Sequence, residues 1–409
     1  MKHCKKQVPT FLRGIFVAAM WVVVVERPIR AEKPQPPADV SKPAAETSKP
    51  LAVVAKPAAD SVPMTRDALE RGLRLLERAA RNYPRHRDCF ACHHQSFPLL
   101  AQVEGRRIGL RPDEPTRRAI AGFTREWFSQ RQTDLRAGRS IDGRAITAAY
   151  GLWTLEMAPA VKITDVPPEV PPEVPPQVPP QEPPQVPASD PVVQALAEYL
   201  MKVQRADGAW EPEAHRPPAE ESKAFVTALA LRGLRWSASS PTGPQSVAAD
   251  RAFNWLSSNA AAAIADESID ELAGQLLAYV WRPDRFPDAK AAMRRSRIKE
   301  WQDRILFLQR ENGGWSQRRG MASDPYATGL ALWTLIESGF DHNAKSCQDA
   351  AAFLRIRQAG DGSWHTRSRC EPFQPYFDNG DPYGRDQFLS LMATGWSIAA
   401  LARLEESRP

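Results

Sequence analysis

The sequence has no concentrated basic stripe, no βαβ pattern and no apolar run long enough to cross a membrane comfortably. Its formal net charge is +6, but seven of the lysines lie before residue 57, so no basic face indicates nucleic-acid binding. The apolar run from Gly14 to Val25 is shorter than the roughly 20 residues of a transmembrane helix. The missing βαβ pattern disfavours a thioredoxin-like redox domain.

The beginning of the chain is typical of an export signal. Basic residues, including Lys5 and Arg13, precede the apolar run, and a cleavage site fits after Ala31. We therefore predict that residues 1–31 are a signal peptide or a short N-terminal anchor. The rest of the chain should then be periplasmic or in the cell envelope, and close to the membrane if the anchor is retained.

Two segments are dominated by proline, of which the chain has 38. Residues 32–63 consist mainly of Pro, Ala, Lys and Ser, so they cannot bury a core and should form a disordered tether. Residues 166–187 repeat Pro-Pro-Glu/Gln-Val, which predicts a polyproline II insertion of about 60–70 Å within the domain at 64–409. This insertion is either a stiff spacer or a ligand for a proline-recognising partner.

Three short segments are variants of one sequence, Gln-x-x-Asp/Asn-Gly-x-Trp, and each lies between two apolar helical runs. The Asp/Asn-Gly pair suits a helix end with positive φ, the Gln amide can bond free backbone groups, and the Trp can pack across to the next hairpin. The chain is therefore predicted to be a repeat of helical hairpins. The repeat residues are Gln204, Asp207, Trp210, Gln309, Asn312, Trp315, Gln358, Asp361 and Trp364.

Apolar periodicity predicts an all-α fold of six helical pairs. The second helix of each pair is apolar on all sides, which predicts an inner ring of second helices with the first helices outside it. The inner helices should all begin at one end of the ring, which we call the rim. The predicted first helices span 66–81, 115–135, 191–203, 250–258, 291–308 and 344–356. The predicted second helices span 95–107, 144–157, 223–235, 269–280, 326–337 and 388–404.

The repeats resemble those of the squalene-hopene cyclase, oxidosqualene cyclase and protein prenyltransferase superfamily over residues 64–409. The resemblance implies an α/α toroid like the C-terminal domain of a squalene cyclase, in an exported member that binds an apolar ligand, with an isoprenoid as one candidate. The Asp-x-Asp-Asp acid motif of the cyclases is absent, and the nearest segments, 266–270 and 378–381, do not match it. Where prenyltransferases have a zinc-binding Asp-x-Cys, this chain has Asp324-Pro-Tyr326, so Tyr replaces the thiolate.

The first hairpin carries Cys89-Phe-Ala-Cys92-His93-His94 in place of the repeat loop. Cys-x-x-Cys-His is the attachment pattern of haem c, in which Cys89 and Cys92 would bond the porphyrin and His93 would ligate the iron. Two other interpretations stay open: a structural or free thiol pair, including a local disulfide, and a zinc site that uses His93 or His94. A further candidate disulfide joins Cys347 and Cys370.

The connection between Trp364 and Phe388 is unusually long and rich in aromatic residues, which argues against disorder. Because it lies at the predicted rim, it could close over a ligand site, or it could simply be sealed by its own ion pairs and Tyr packing. Helix capping would account for Asp324. The catalytic candidates at the rim are Asp324, Tyr326, His365, Asp378, Asp381 and Tyr383.

Three functions are consistent with these features. The first is the binding of a small apolar ligand in the centre of the toroid, as a carrier or as a cyclase-like or prenyltransferase-like enzyme. The second is redox chemistry with a covalent haem c. The third is a non-catalytic interaction scaffold with a solid ring. Aromatic residues around an open cavity would favour the first.

Overall fold

The computed structural model describes residues 66–160, 185–213, 216–285, 288–371 and 376–406. The predicted signal peptide and tether, and all but the last three residues of the predicted polyproline insertion, lie outside these ranges. The described residues are all-α, with fourteen α-helices, four short 3-10 turns and no β-strand. No helix among them is both long enough and apolar enough to cross a membrane.

The helices follow the order that apolar periodicity predicts. In chain order they are α1 (Arg66–Asn82), α2 (Cys92–Arg107), α3 (Glu114–Ser129), α4 (Gln132–Ala137), α5 (Arg144–Met157), α6 (Pro191–Val203), α7 (Lys223–Trp236), α8 (Pro244–Ser258), α9 (Ala260–Asp266), α10 (Ile269–Trp281), α11 (Ala291–Phe307), α12 (Pro325–Glu337), α13 (Lys345–Arg357) and α14 (Gln387–Glu406).

Three helices differ from the prediction. The helix expected at 115–135 is divided into α3 and α4, because the backbone of Arg131 leaves the helical conformation, with φ −111° and ψ 6°. Helix α8 begins earlier than expected, at Pro244, where proline suits a first helical position. Helix α9 was not expected, since it buries only Ala263 and therefore has no apolar periodicity.

Six helices, each buried on nearly all sides, form the interior. Helices α2, α5, α7, α10, α12 and α14 pack on one another in that order, and α14 packs on α2, so the order of contacts closes on itself. Small residues allow this close approach: a Cβ added to Gly274 would lie 2.4 Å from the backbone nitrogen of Phe225. Helices α1, α6, α8, α11 and α13 pack against this inner set from outside.

The three repeat loops connect successive hairpins through their Gln side chains. Gln204 Nε2 donates to the Gly208 carbonyl at 2.8 Å within its own loop, and to the Ala248 carbonyl of α8 at 2.9 Å. Gln309 makes the equivalent bonds to its own loop and to α13. Gln358 donates to the Ala68 carbonyl of α1 at 2.9 Å, so the last loop joins the first helix. The loop glycines have φ values of +100°, +84° and +93°, as the Asp/Asn-Gly pattern predicts.

Each repeat Trp is buried and donates two hydrogen bonds, one from its indole nitrogen and one from its backbone nitrogen. In the third repeat the Trp364 indole nitrogen donates to the Leu354 carbonyl at 2.8 Å, and its backbone nitrogen donates to Thr394 Oγ1 at 3.1 Å. Trp210 and Trp315 make the same two kinds of bond. The Trp364 ring would also meet a Cβ on Gly72 of α1 at 3.3 Å, which agrees with predicted packing across hairpins.

The middle of the inner helices is filled by aromatic side chains. The Trp396 ring lies 5.1 Å from the rings of Phe97 and Trp333 and 5.9 Å from that of Trp153. All four are at most 2% exposed. We call this group the aromatic layer; it separates the rim from the opposite end, where the inner helices finish.

The described residues on either side of positions 161–184 pair with each other. Pro159 and Gln185 form an isolated β-bridge, and the Val186 nitrogen donates to the Ala158 carbonyl at 3.3 Å. Val186 is buried, so the last part of the proline-rich sequence packs on the helices. The chain therefore approaches the start of α6 close to the point where α5 ends.

Candidate functional site

A buried carboxyl and a buried phenol meet at the rim. Asp270 is the second residue of α10 and Tyr326 the second residue of α12, so both side chains come from the first turn of an inner helix. Tyr326 Oη donates to Asp270 Oδ1 at 2.6 Å, and the two residues are 1% and 3% exposed. Asp270 Oδ2 has no hydrogen-bond partner among the described residues.

The environment brings the pKa of Asp270 close to neutral. Burial raises this pKa to about 7, although the Tyr326 hydrogen bond and the positive charge of Arg369 both lower it. Burial also raises the pKa of Tyr326 well above its usual value, so the phenol keeps its proton. At neutral pH Asp270 populates both protonation states, which is the property that general acid–base catalysis requires.

Tyr150 of α5 is a second buried phenol with an unused hydroxyl. It is 1% exposed, and its Oη has no hydrogen-bond partner in the ranges that the structure describes. Burial raises the pKa of Tyr150, and the charges of Cys92, Asp270 and Glu220 raise it further. Buried polar atoms are usually bonded, so an unbonded one indicates a ligand, a water or a functional role.

The start of α2 adds Cys92 and His93 to this region, and both are half-buried. Burial raises the pKa of the Cys92 thiol to about 12, so the thiol is protonated. Burial, with a smaller contribution from the positive charge of Arg216, lowers the pKa of His93 to about 3, so the imidazole is neutral. The His93 ring lies 4.3 Å from that of Phe388, and its Nδ1 has no partner in the described parts of the chain.

We call Cys92, His93, Tyr150, Glu220, Asp270 and Tyr326 the rim cluster. Glu220 precedes α7, is 8% exposed, and accepts from Arg216 Nε at 2.5 Å. The cluster thus takes its groups from the beginnings of α2, α7, α10 and α12, together with the middle of α5. Their chemistry combines two carboxyls, two phenols, a thiol and a neutral imidazole, and burial raises the pKa of both carboxyls.

His94 has a structural position beside the cluster. Its ring stacks on Tyr83 with centroids 4.2 Å apart, and its Nε2 bonds Asn379 Nδ2 at 2.9 Å. Among the described residues, no group of three His, Cys, Asp or Glu side chains could hold a metal ion.

Neither candidate disulfide is present. Cys92, Cys347 and Cys370 are all free thiols, so the Cys89–Cys92 alternative for the first hairpin and the Cys347–Cys370 candidate are both wrong. Cys347 is buried in the outer helix α13, whereas Cys370 lies in the long loop before α14. Cys89 is disulfide-bonded, and its sulfur lies 3.2 Å from Tyr83 Oη.

The remaining predicted site residues have local structural partners. Asp324 caps α12 by accepting from the Ala327 nitrogen at 3.0 Å, and burial raises the pKa of its carboxyl to about 6. His365 Nε2 bonds Asp386 Oδ2 at 2.9 Å, and the His365 ring stacks 4.4 Å from Tyr383. Of the predicted catalytic residues, Tyr326 therefore has the contacts most expected of a site.

Two more predicted residues hold the turn of the long loop. Asp381 Oδ1 accepts from the Tyr383 nitrogen at 2.9 Å, and Asp378 Oδ1 accepts from the Gly380 nitrogen at 2.9 Å. Burial raises the pKa of Asp381 to about 7. These contacts stabilise the turn, whereas other residues of the same loop bond to residues outside it, as Asn379 does to His94.

Sequence reasoning missed three members of the rim cluster: Tyr150, Glu220 and Asp270. In the sequence, Asp270 drew attention only as part of segment 266–270, and that segment does not match the acid motif of the cyclases. A usable signal was available, because Asp270 and Tyr150 interrupt helices that are otherwise almost wholly apolar. A polar residue in such a helix must find a partner or a use.

Two recesses lie away from the aromatic layer. One of about 120 Å³ is lined by Arg144, Tyr199 and Trp210, among others. The other, of about 600 Å³, is an open groove beside α11, lined in part by Leu272 and the exposed Phe307. Neither includes a member of the rim cluster.

No protein-family model matches the chain. No curated protein matches it either. Among solved structures, a protein from Actinoplanes has 17% sequence identity and a TM-score of 0.46, and the match covers 83% of this chain and 99% of that one. A glycosidase variant in complex with glucose has 12% identity and a TM-score of 0.44, and here the match covers 84% and 99%. Function is therefore proposed from the rim residues.

Proposed function

We propose that the chain is an α/α toroid of the squalene cyclase and protein prenyltransferase type. The closed contact order of the six inner helices and the three Gln-x-x-Asp/Asn-Gly-x-Trp loops support this proposal. Export, directed by residues 1–31, belongs to the same proposal. The functional site is the rim cluster, since the aromatic layer fills the middle of the inner helices.

We further propose that the protein is an acid–base enzyme that acts on a mainly apolar ligand held over Asp270 and Tyr326. One observation carries this proposal: Asp270 Oδ1 accepts from the buried phenol of Tyr326, while Asp270 Oδ2 is buried with no partner among the described residues, in a carboxyl whose pKa is about 7. A catalytic acid works best when its pKa is near the working pH.

In the proposed reaction, protonated Asp270 transfers its proton from Oδ2 to an alkene or carbonyl group of the ligand. The carboxylate that forms is stabilised by the hydrogen bond from Tyr326 Oη to Oδ1 and by the positive charge of Arg369. Tyr150 offers a hydroxyl to the ligand, and its ring lies 6.0 Å from that of Phe97 in the aromatic layer. Aromatic faces stabilise a positive charge on the protonated ligand. Loss of a proton from the ligand back to Asp270 completes the cycle.

A direct test uses all-trans-farnesol as a probe alkene in D₂O. The wild type should introduce deuterium into recovered farnesol or its products, and Asp270→Asn should reduce this incorporation by at least about 100-fold, as expected for loss of an acid–base group. Asp303→Asn, which removes an exposed carboxyl of α11, is the matched control and should behave as the wild type. Equal incorporation in the wild type and Asp270→Asn would contradict the proposal. If farnesol neither reacts nor changes tryptophan fluorescence, the interaction scaffold is favoured.

A second candidate, haem c, is supported by the position of its attachment pattern. Cys92 and His93 both reach the rim at the start of α2, and His93 is neutral with Nδ1 unbonded among the described residues, as a metal ligand requires. Cys89 and Cys92 would hold the group and His93 would ligate its iron, which would supply electron transfer. The disulfide of Cys89 would first have to be reduced, and His94 is already bonded to Asn379.

Intact mass and a visible spectrum test the haem proposal. Protein from a host that matures c-type haem should gain the mass of one haem and show a Soret band, and Cys89→Ser, Cys92→Ser should lose both. Colourless protein of unchanged mass would exclude covalent haem.

A further inference from the structure

Three loops at the rim meet at one carboxylate. Glu221, before α7, accepts from Arg369 Nη2 of the long loop at 2.5 Å through Oε2. Its Oε1 pairs with Arg318 Nη2, from the loop before α12, at 3.1 Å. Arg369 Nε also donates to Gln317 Oε1 at 2.8 Å, so the long loop and the loop before α12 are joined directly. We call Glu221, Arg318 and Arg369 the clasp.

The clasp lies beside the Asp270–Tyr326 pair. Gln317 accepts from the nitrogen of Ile269, the residue before Asp270, at 3.2 Å. Thr366, three residues before Arg369, accepts from the Tyr326 nitrogen at 3.3 Å through its hydroxyl. The charges of both Arg369 and Glu221 reach Asp270. The loops of Arg318 and Arg369 are therefore anchored next to a residue of the pair, and Glu221 joins these two loops.

The clasp is more exposed than the pair that it lies beside. Its three side chains are 25–41% exposed, whereas Asp270 is 3% exposed. Ion pairs of this exposure are weak and are screened by salt. The inner helices, in contrast, are held by buried apolar contacts that salt does not weaken. Separation of the loops would uncover Asp270 and leave those helices in place.

We propose that the clasp is a gate that admits the ligand to Asp270 and Tyr326. This inference rests on the rim being the functional site. Glu221 acts as a positioning residue, because it touches neither Asp270 nor Tyr326 by a hydrogen bond and works through Arg318 and Arg369. Ligand entry should therefore depend on ionic strength, even though the ligand is mainly apolar.

The test measures how accessible Asp270 is when no ligand is present. Carboxyl groups of the full chain are coupled to glycine ethyl ester with a carbodiimide, and the modified residues are located by peptide mass spectrometry. Asp303, on the surface of α11, reports the intrinsic labelling rate. Glu77, which is 0% exposed in α1, reports opening of the whole domain. Glu221→Gln is compared with Glu267→Gln, which removes a neighbouring ion pair with Arg319 that lies outside the clasp.

Glu221→Gln should raise Asp270 labelling about fivefold relative to Asp303, the change expected from loss of a weak ion-pair cluster. Glu77 labelling and the Glu267→Gln variant should stay at wild-type levels. Wild-type Asp270 labelling should also rise between about 0.1 M and about 1 M NaCl, over which the Debye length falls from about 10 Å to about 3 Å. Glu221→Gln should lose most of this salt dependence.

Two results would overturn the gate: Asp270 labelling that is unchanged in Glu221→Gln, or labelling of Glu77 that rises together with that of Asp270. Because labelling needs no ligand, it separates failure of the gate from failure of the proposed reaction. A functional gate with no reaction on farnesol would point to a different ligand at the same rim.

Discussion

The two ends of the inner helices are built from the same six helices but carry different kinds of buried polar group. At the far end, Arg403 donates to Glu104 Oε1 at 2.7 Å and also pairs with Glu337. Trp333 Nε1 adds a bond to Glu104 Oε1 at 3.3 Å. Charges there meet across α2, α12 and α14 and close that end.

At the rim, polar groups of similar burial are left open. Asp270 Oδ2, Tyr150 Oη and His93 Nδ1 have no hydrogen-bond partner in the described residues. Because an unpaired buried polar atom is costly, these three atoms indicate a ligand or a functional use. Thr334 Oγ1, in the second half of α12, is also buried and unbonded among the described residues, so the two ends differ in the kind of group: a carboxyl, a phenol and an imidazole at the rim, and a paired charge cluster at the far end.

The largest loss of stability should follow from opening the aromatic layer between the two ends. Trp396→Ala removes a ring that contacts the rings of Phe97, Trp153 and Trp333, so it should lower the free energy of unfolding by about 3–5 kcal/mol. Urea unfolding followed by circular dichroism measures this. Phe307→Ala, at a side chain that is 83% exposed, should change little. A loss below about 1 kcal/mol for Trp396→Ala would mean that the layer is not close-packed.

A smaller but still large loss should come from breaking the far end. Glu104→Ala removes one partner of Arg403 at a site where the Glu104 side chain is 3% and the Arg403 side chain 15% exposed. The free energy of unfolding should therefore fall by about 3 kcal/mol. The matched control is Glu70→Ala in the exposed Arg66–Glu70 pair, which should cost no more than about 0.5 kcal/mol. Equal effects of the two variants in urea unfolding would remove the distinction between a sealed end and an ordinary surface.

The pH dependence of stability should show that folding favours the neutral form of Asp270, in contrast to the charged Glu104 at the far end. Its pKa is raised from 3.8 to about 7 on folding, so its stabilising contribution is complete below 3.8 and is lost as pH rises through about 7. Each pKa unit corresponds to about 1.4 kcal/mol. Urea unfolding of the wild type and Asp270→Asn across this range should show the wild type losing stability relative to the variant. Parallel pH profiles would show that Asp270 titrates normally.

The smallest effect should come from removing the unbonded phenol oxygen. Tyr150→Phe deletes a buried hydroxyl that has no partner among the described residues, so stability should change by less than about 0.5 kcal/mol or rise slightly. Binding of farnesol, followed by tryptophan fluorescence, should weaken in the same variant. A clear loss of stability would instead show that the hydroxyl is bonded and structural.

Local pattern was enough to predict most of the helices and the repeat loops. The φ values of the loop glycines depend on residues within one hairpin and its neighbour. The same is true of the two hydrogen bonds that each of Gln204, Gln309 and Gln358 donates. The split between α3 and α4 was not predictable in this way, because the break falls at Gln130 and Arg131, where the sequence has neither glycine nor proline.

The site was less accessible to sequence reasoning, since its parts are distant along the chain. Asp270 and Tyr326 are 56 residues apart, and only the packing of α10 on α12 brings them together. Residue type alone made His365 look as suitable as Tyr326, yet His365 is bonded to Asp386 and half-exposed. Burial, which the sequence does not give directly, separates the two.

The most direct measurement is an infrared titration of the Asp270 carboxyl, taken as the difference between the wild type and Asp270→Asn, with and without farnesol. We expect a protonated C=O band that disappears with a midpoint near pH 7 and that shifts when farnesol binds. A midpoint near the usual value of 3.8, unchanged by farnesol, would contradict the claim that the rim is an acid–base site.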